Sequence, residues 1–249
     1  MSVYFCTLAY CLKLICFCLT AMLISNFLKI EKGITAVIGG GGKTTLLHIL
    51  AKELSTKGTV VITTTTHIMK SEVFCNVLTS ADKDNLSYIG EQLALHRCIV
   101  LGSEFSGEKL KAPDVSIDEL SSFCDYVLVE ADGSKHLPLK AHLPFEPVIP
   151  ECTYQTILVV GVDAVGKSLK ETTHRSERAA ELLSCGVDSI VTPLLVAKLI
   201  NLENLHDKVV INKCDSDNLR ITAEQISEKI NTECVISSLL KGEWYVSSN

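Results

Sequence analysis

The feature that most constrains the fold is a series of short, continuous apolar runs, each ending in a polar or glycine-rich cluster. Eight such runs follow one another along the chain: ITAVI (34–38), TVVITTTT (59–66), CIVLGS (98–103), DYVLVEADG (125–133), TILVVGVD (156–163), DSIVTP (188–193), KVVINKCD (208–215) and CVISS (234–238). Continuous apolar runs are typical of strands buried on both faces, as in a parallel sheet covered by helices. Because neighbouring parallel strands end at one rim, the polar clusters predict a ligand site there.

Helical stretches lie between these runs. The clearest follows the first run, where Leu46, Leu47, Leu50 and Leu54 fall on one helical face and Gly58 ends the pattern. Further stretches are SIDELSSF (116–123), RSERAAELL (175–183) and ITAEQISEKIN (221–231). A strand, a glycine loop and a helix in succession form a phosphate-binding unit. The sequence therefore predicts an α/β fold of the P-loop NTPase type, mainly parallel with helices on both faces.

Two glycine-rich segments compete for the phosphate-binding role. GVDAVGKS (161–168) is a literal match to G-x-x-x-x-G-K-[ST], whereas GGGGKTT (39–45) has a shorter spacing. The first segment carries Asp163, which would repel a polyanion, and no amphipathic helix follows Ser168 directly. The second combines unhindered amides, a lysine, a hydroxyl and an amphipathic helix. It also precedes the acidic strand end VLVEADG. We therefore predict that GGGGKTT holds the nucleotide.

The predicted nucleotide site uses the loop and one acidic strand end. Lys43 and the loop amides would contact the phosphates, Thr44 and Asp132 would hold Mg²⁺, and Glu130 would orient water. The predicted catalytic residues are Lys43, Glu130 and Asp132. The predicted nucleotide contacts along the loop are Gly39, Gly40, Gly41, Gly42, Lys43, Thr44 and Thr45. Thr63 to Thr66 at the end of the second strand are a further candidate contact.

The segment NKCD matches the N-K-x-D pattern with which GTPases select guanine. It predicts base contacts from Asn212, Lys213 and Asp215, with Ser237 and Ser238 nearby. GTP is favoured over ATP, but both remain open. The short form G-x-x-G-K-T of the loop resembles that of Mur-type ligases, which activate carboxylates with ATP, so a ligase function also remains open. Candidate contacts to an anionic substrate are Lys135, Lys140, Glu146, His174 and Arg175.

The net charge and the distribution of cysteines limit the binding partners and the cellular compartment that we expect. The formal net charge is −6, and no lysine- or arginine-rich stripe is present, so nucleic acid is not expected as a partner. Four of the eleven cysteines lie within the first eighteen residues, and no CxxC pair occurs. The pattern favours reduced thiols in a cytoplasmic protein over a disulfide framework or a metal site.

The N-terminal residues 1–28 form a hydrophobic extension that allows three interpretations. It has the apolar character of a membrane anchor, but Lys13 lies in its middle. Translation from Met22 or a buried helix would also explain it. Residues 29–249 are predicted to form a single nucleotide-binding domain. Four of the six prolines fall within an excursion at about residues 134–155.

Together these motifs resemble the YqeC family, named for selenium-dependent molybdenum hydroxylase accessory or selenium cofactor biosynthesis proteins. The resemblance covers about residues 30–240 and rests on ITAVIGGGGKTT, VVITTTTHI, VEADGSKHLPLKAH, FEPVIP, GVDAVGKSL with HRSE, and VVINKCD. It implies a bacterial nucleotide-binding accessory factor whose partner is a selenium-dependent molybdenum hydroxylase or its maturation proteins. The positions it implies are Lys43, Thr44, Glu130, Asp132, Lys135 and Lys140. Phe145 departs from the pattern, which has histidine there, and residues 1–21 have no counterpart.

Three classes of function follow from these expectations. The first is a Mg²⁺-dependent GTP or ATP hydrolase or switch that serves maturation of the client enzyme. The second is a kinase- or ligase-like transferase acting on a small anionic substrate, with the proline-rich excursion forming the acceptor pocket. The third is a non-catalytic module that binds nucleotide as a structural ligand.

Overall fold

A computed structural model describes residues 23–69, 75–79, 86–107 and 109–246. The strands in these ranges are β1 (Gly33–Gly39), β2 (Val60–Thr64), β3 (His67–Met69), β4 (Asn76–Thr79), β5 (Cys98–Ser106), β6 (Lys109–Lys111), β7 (Tyr126–Glu130), β8 (Leu139–Lys140), β9 (Thr153–Gly161), β10 (Thr173–His174), β11 (Lys208–Asn212), β12 (Cys234–Ser238) and β13 (Glu243–Val246).

The α-helices are α1 (Ile24–Phe27), α2 (Lys43–Leu54), α3 (Leu86–His96), α4 (Ile117–Leu120), α5 (Leu169–Thr172), α6 (Ser176–Leu183), α7 (Pro193–Glu203) and α8 (Asp217–Ser227). Two 3₁₀ turns, Val162–Ala164 and Leu239–Lys241, follow β9 and β12. The longer helices lie between strands of the main sheet, with α6 and α7 both in the connection from β9 to β11, as the alternation of apolar runs and helical stretches predicted.

The main sheet confirms the predicted P-loop NTPase type of α/β fold. Its strand order is β13-β12-β11-β9-β1-β7-β2-β5-β6-β3, with β4 also paired to β5. All pairings from β12 to β5, and the β4–β5 pairing, are parallel, whereas β13, β6 and β3 pair antiparallel at the edges. The chain reverses its direction of travel across the sheet beside β1, which places a crevice outside the carboxyl end of that strand.

Side chains of each central strand point alternately into two apolar layers. Val37 of β1 packs with Leu46, Leu47 and Leu50 of α2 on one face. On the other face, a second layer joins alternate strand residues to α3, α6, α7 and α8. The predicted leucine stripe of α2 is fully buried, and burial of each leucine contributes roughly 1.5–3 kcal/mol. Packing therefore fixes α2, and with it the loop that precedes it.

Some local predictions were wrong. DSIVTP forms no strand, and only an isolated bridge joins Ile190 to Ser168. Thr192 instead caps α7, with Pro193 in its first turn, an arrangement that the sequence signals only when Thr-Pro is interpreted as a helix start. The antiparallel strands β3 and β6 were not predicted because each has only three residues.

The structure describes only part of the predicted N-terminal extension. Residues 1–22, including Lys13, lie outside the described residues. Residues 24–28 pack inside the folded body, because Ile24 and Leu28 are buried against α2 and Glu53 accepts hydrogen bonds from the backbone N–H groups of Ile24 and Ser25 at 3.1 and 2.8 Å. Among the helices of the described residues, none combines the length and hydrophobicity that crossing a bilayer requires.

Candidate functional site

The loop between β1 and α2 depends on glycine for its shape. Gly41 and Gly42 have φ values of 67° and 121°, which side chains with a Cβ rarely adopt. A Cβ on Gly41 would also lie 2.3 Å from the backbone nitrogen of Gly161. Since α2 begins at Lys43, the first N–H groups of the helix have no intrahelical acceptor and point past the loop. The arrangement is suited to binding an anion.

Lys43 is buried at the base of the loop, and its ammonium group is surrounded by oxygen atoms. Its Nζ donates to the carbonyl of Gly39 at 2.7 Å and approaches Ser134 Oγ at 3.4 Å. The same atom lies 3.1 Å from Asp132 Oδ1 and 3.8 Å from Glu130 Oε1. The structure therefore brings together all three predicted catalytic residues.

Glu130 and Thr44 form the part of this cluster that faces the cleft. The Thr44 hydroxyl donates to Glu130 Oε2 at 3.2 Å, and both residues line the cleft. β7, which ends at Glu130, pairs directly with β1, so the acidic strand end lies beside the loop. A hydroxyl and a carboxylate this close are oxygen ligands of the kind that Mg²⁺ takes.

Asp132 occupies a different position from the one the sequence predicted. Its Oδ2 accepts hydrogen bonds from the Gly39 N–H and from His142 Nε2, both at 2.8 Å, and lies 3.4 Å from Lys140 Nζ. Asp132 is 1% exposed and does not line the cleft. Of the two predicted metal ligands, Thr44 therefore lines the cleft, whereas Asp132 is paired with Lys43 and Lys140.

Electrostatics explains how a buried carboxylate is accommodated there. Burial raises the pKa of Asp132, but the hydrogen bond from His142 and the charges of Lys43 and Lys140 outweigh it, and the pKa lies well below its ordinary value. Burial lowers the pKa of His142, but its hydrogen bonds to Asp132 and Glu203 outweigh that effect, so the net shift is upward. The cluster is thus built from charged partners.

His142 and Glu203 are site residues that the sequence reasoning missed. Glu203 Oε2 lies 3.0 Å from His142 Nδ1, and Glu203 Oε1 accepts from the His142 backbone N–H at 2.6 Å. His142 stands within the quoted block VEADGSKHLPLKAH and could have been found there. Glu203 is the last residue of α7, and no local sequence pattern identifies it as a site residue.

The cleft above Lys43 has a volume of about 480 Å³, within the range of small-molecule sites. The loop and Glu130 form one side, and the 133–136 segment forms another. Residues outside the predicted set of site residues also line it: His67, Ile68, Lys109, Gly133, Ser134 and His136. Lys135 and His136 both have positive φ, at 51° and 61°, a conformation that is strained for such residues and is often found at functional sites.

The residues of the NKCD segment (212–215) occupy different parts of the site. The Asn212 side chain donates to the carbonyl of Gly41 at 2.7 Å and accepts from the Leu239 N–H at 3.0 Å, so it fixes the loop. Lys213 lines the cleft and donates to Asp163 Oδ2 at 2.9 Å. Asp215 is exposed and accepts a hydrogen bond from the Ser238 hydroxyl. Asp215 lies at the same rim but does not line the 480 Å³ cleft.

The predicted substrate residues form a group beside the cleft. The buried ammonium of Lys140 donates to the carbonyl of Gly133 at 2.9 Å. Glu146 Oε1 lies 3.4 Å from both Lys140 Nζ and Arg175 Nη2. Lys135 is exposed and His174 half-buried, and both line a second cavity with Glu146. Phe145, the position at which the family pattern has histidine, is 69% exposed.

GVDAVGKS does not have the geometry of a phosphate loop. Gly161 ends β9 and packs against Gly41. Ser168 caps the four-residue helix α5 and exchanges hydrogen bonds with Glu171, so its hydroxyl is engaged. Lys167 is exposed, and the helix after it is too short to align many peptide dipoles.

Comparison with solved structures finds a distant likeness. Signal recognition particle 54 kDa protein from Aeropyrum pernix K1, in complex with GDP, aligns with 87% of this chain and 44% of its own, at 15% sequence identity and a TM-score of 0.34. A similarity this low carries no argument about the ligand of the present chain. The fold assignment rests on the strand order and on the loop between β1 and α2.

Sequence comparison gives a clearer result. The uncharacterized protein YqeC of Escherichia coli (strain K12) is 32% identical over 160 residues, which make up 63% of this chain and 62% of that relative. The chain thus spans less than two thirds of that relative's length. A family profile described as YqeC protein matches residues 35–177, more than half of the 249 residues. The chain belongs to the YqeC family.

Proposed function

We propose that this chain binds GTP or ATP together with Mg²⁺ in the cleft above the GGGG loop and hydrolyses it. The observation that carries this proposal is the convergence of Lys43 and Thr44, at the start of α2, with Glu130 at the end of the adjacent strand. Nucleotide hydrolysis needs a cation at the phosphates, oxygen ligands for Mg²⁺ and backbone donors, and all three are present.

Each residue of the proposed site has a defined role in hydrolysis. Lys43 and the first N–H groups of α2 bind the terminal phosphates. Thr44 and Glu130 would hold the ion, and Mg²⁺ supplies charge neutralisation at the phosphate oxygens. Asp132 acts as a positioning residue, since it fixes Lys43 from beneath. This proposal differs from the sequence-based expectation, which assigned the metal to Thr44 and Asp132 and water orientation to Glu130.

Replacing Thr44 with valine tests the metal assignment. We expect Thr44→Val to raise about tenfold the Mg²⁺ concentration that half-saturates nucleotide binding, because one oxygen ligand is lost while side-chain volume is kept. Glu130→Gln should act in the same direction and should slow release of free phosphate. Calorimetric titration of GTP at a series of Mg²⁺ concentrations measures the first effect, and a phosphate-release assay measures the second.

Thr45→Val is the matched control, because Thr45, although predicted from the sequence as a nucleotide contact, is the next residue of α2 and does not line the cleft. It should leave the Mg²⁺ dependence unchanged. Equal Mg²⁺ dependence in wild type, Thr44→Val and Glu130→Gln would rule out the proposed metal ligands.

Asp215 is proposed to select guanine. We expect Asp215→Ala to weaken GTP binding about tenfold or more and to leave ATP binding unchanged, because charged hydrogen bonds contribute about 1.5–3 kcal/mol each. Competition of each nucleotide with a fluorescent analogue measures both affinities. Asp217→Ala, an exposed acid two residues away in α8, should change neither. A wild-type protein that binds both nucleotides equally would refute guanine selection.

A second candidate function is group transfer to a small anionic acceptor. It is favoured by the cavity that adjoins the cleft and contains Lys135, Glu146 and His174. Appearance of a phosphorylated or ligated product in place of free phosphate would distinguish transfer from hydrolysis. From the family resemblance of the sequence motifs, we also propose that the protein assists the maturation of selenium-dependent molybdenum hydroxylases in the cytoplasm.

A further inference from the structure

A second cavity, of about 590 Å³, opens beside the nucleotide cleft and has no task in the proposed hydrolysis. His67, Gly133 and Lys135 line both cavities. The shared wall therefore lies next to Glu130 and Ser134, where the terminal phosphate of a bound nucleotide would be held. A molecule in the second cavity would lie beside that phosphate rather than beside the base.

The second cavity has a positive environment. Lys111 and Lys135 line it and are exposed. Glu146 also lines the cavity, and its Oε1 lies 3.4 Å from both Lys140 Nζ and Arg175 Nη2. Burial and the neighbouring charges of Lys140, Arg175 and Lys135 lower the pKa of His174, and the opposing influence of Glu146 is smaller. Cations thus exceed carboxylates on this wall.

Two residues that line the cavity carry buried polar atoms without a hydrogen-bond partner. Within the described parts of the chain, neither Thr65 Oγ1 nor Glu146 Oε2 has one. A buried polar atom left unpaired costs about 1–3 kcal/mol, and native proteins satisfy most such atoms with protein, water or ligand. The ionised carboxylate of Glu146 can only accept hydrogen bonds, and the pKa of Glu146 is lowered overall, so the missing partner must be a donor. Because Oε2 is enclosed in this structure, the Glu146 side chain must turn toward the cavity to meet a donor there.

We propose that the second cavity binds a small organic anion that also carries a hydroxyl or amino group. Lys111 and Lys135 hold the anionic group, Glu146 accepts from the donor, and Thr65 adds a hydroxyl contact. The inference rests on the proposed nucleotide site, because the shared wall is what makes this molecule a second ligand of the nucleotide-bound protein. It names the ligand class that the transferase alternative requires.

Strand β6 supplies a matched pair of variants for the test. Lys109 and Lys111 are both exposed and flank buried Leu110, but Lys109 lines only the nucleotide cleft and Lys111 only the second cavity. The protein is saturated with Mg²⁺ and a nonhydrolysable GTP analogue, so that the loop is filled. Glycerol 3-phosphate, which has an anion and hydroxyl donors, and methyl phosphate, which has no carbon-bound hydroxyl, are then titrated by calorimetry.

We expect one molecule of glycerol 3-phosphate to bind per chain, more tightly than methyl phosphate. Lys111→Met should weaken that binding about tenfold through loss of a charge-assisted contact, and Lys109→Met should change it less than twofold. Absence of binding to the analogue-saturated protein, or equal effects of the two variants, overturns the inference. If the analogue itself does not bind but glycerol 3-phosphate still depends on Lys111, the proposed nucleotide site is wrong and the anion site stands.

Discussion

Lys43→Ala is expected to weaken binding of both Mg·GTP and Mg·ATP by about a hundredfold or more. Lys43 brings the buried positive charge of the cleft to the phosphates, and a charge-assisted contact contributes about 1.5–3 kcal/mol, with more where water is excluded. Each 1.4 kcal/mol corresponds to a factor of ten in affinity. Calorimetry with each nucleotide measures the loss.

Lys167→Ala provides the control, because Lys167 is the lysine of the literal motif match and is exposed. It should leave both affinities unchanged. Since Lys43 also pairs with Asp132 at 3.1 Å, thermal unfolding of Lys43→Ala must show that the protein is still folded. If Lys167→Ala loses nucleotide binding and Lys43→Ala retains it, the nucleotide site is at GVDAVGKS (161–168) and not at GGGGKTT (39–45).

Asp132→Asn is expected to lower the free energy of unfolding by about 3–5 kcal/mol. The substitution keeps the shape of the side chain but leaves Lys43, Lys140 and His142 without their shared counter-charge, and breaking one partner of a buried ion pair has losses of this size. The hydrogen bond from the Gly39 N–H at 2.8 Å would also weaken, and the loop with it. Urea unfolding followed by circular dichroism measures the change.

Asp125→Asn is the matched control for that loss. Asp125 immediately precedes β7 at its opposite end and pairs with Lys32 at 2.7 Å, but the Lys32 side chain is 68% exposed. Exposed ion pairs contribute little, and the amide oxygen of asparagine can still accept the hydrogen bond that the Thr59 backbone N–H donates to Asp125 Oδ2 at 2.8 Å, so Asp125→Asn should destabilise the protein much less. An equal loss in the two variants would show that the buried cation cluster is not what makes Asp132 important.

The parts of the fold that were predictable are those encoded locally. β1, the glycine loop and the Leu46–Leu54 face of α2 follow from apolar periodicity and glycine spacing, and the structure has them where the sequence placed them. The order β1-β7 could not be deduced in the same way, because pairing of strands about 90 residues apart depends on tertiary packing. The adjacency of Thr44 to Glu130 follows from that pairing.

The charge arrangement below the loop shows why site roles were harder to predict. The pattern EADG identified two carboxylates, but not which of them faces the cleft. That depends on His142, which lies within the proline-rich excursion, and on Glu203, which is the last residue of α7. His142 and Glu203 come close to Asp132 only in the folded chain. No short motif therefore shows that Glu130, rather than Asp132, is the carboxylate that lines the cleft.

Asn212 and Asp215 stand three residues apart, and the structure separates what they do. Asn212 is internal scaffolding that ties the carbonyl of Gly41 to the turn after β12, whereas Asp215 reaches the surface beside Ser238. In the proposed site, base choice and phosphate binding are therefore independently variable. If Asp215 selects the base as proposed, substitutions at Asp215 and Ser238 are expected to change the nucleotide preference while the phosphate-binding loop stays unaltered.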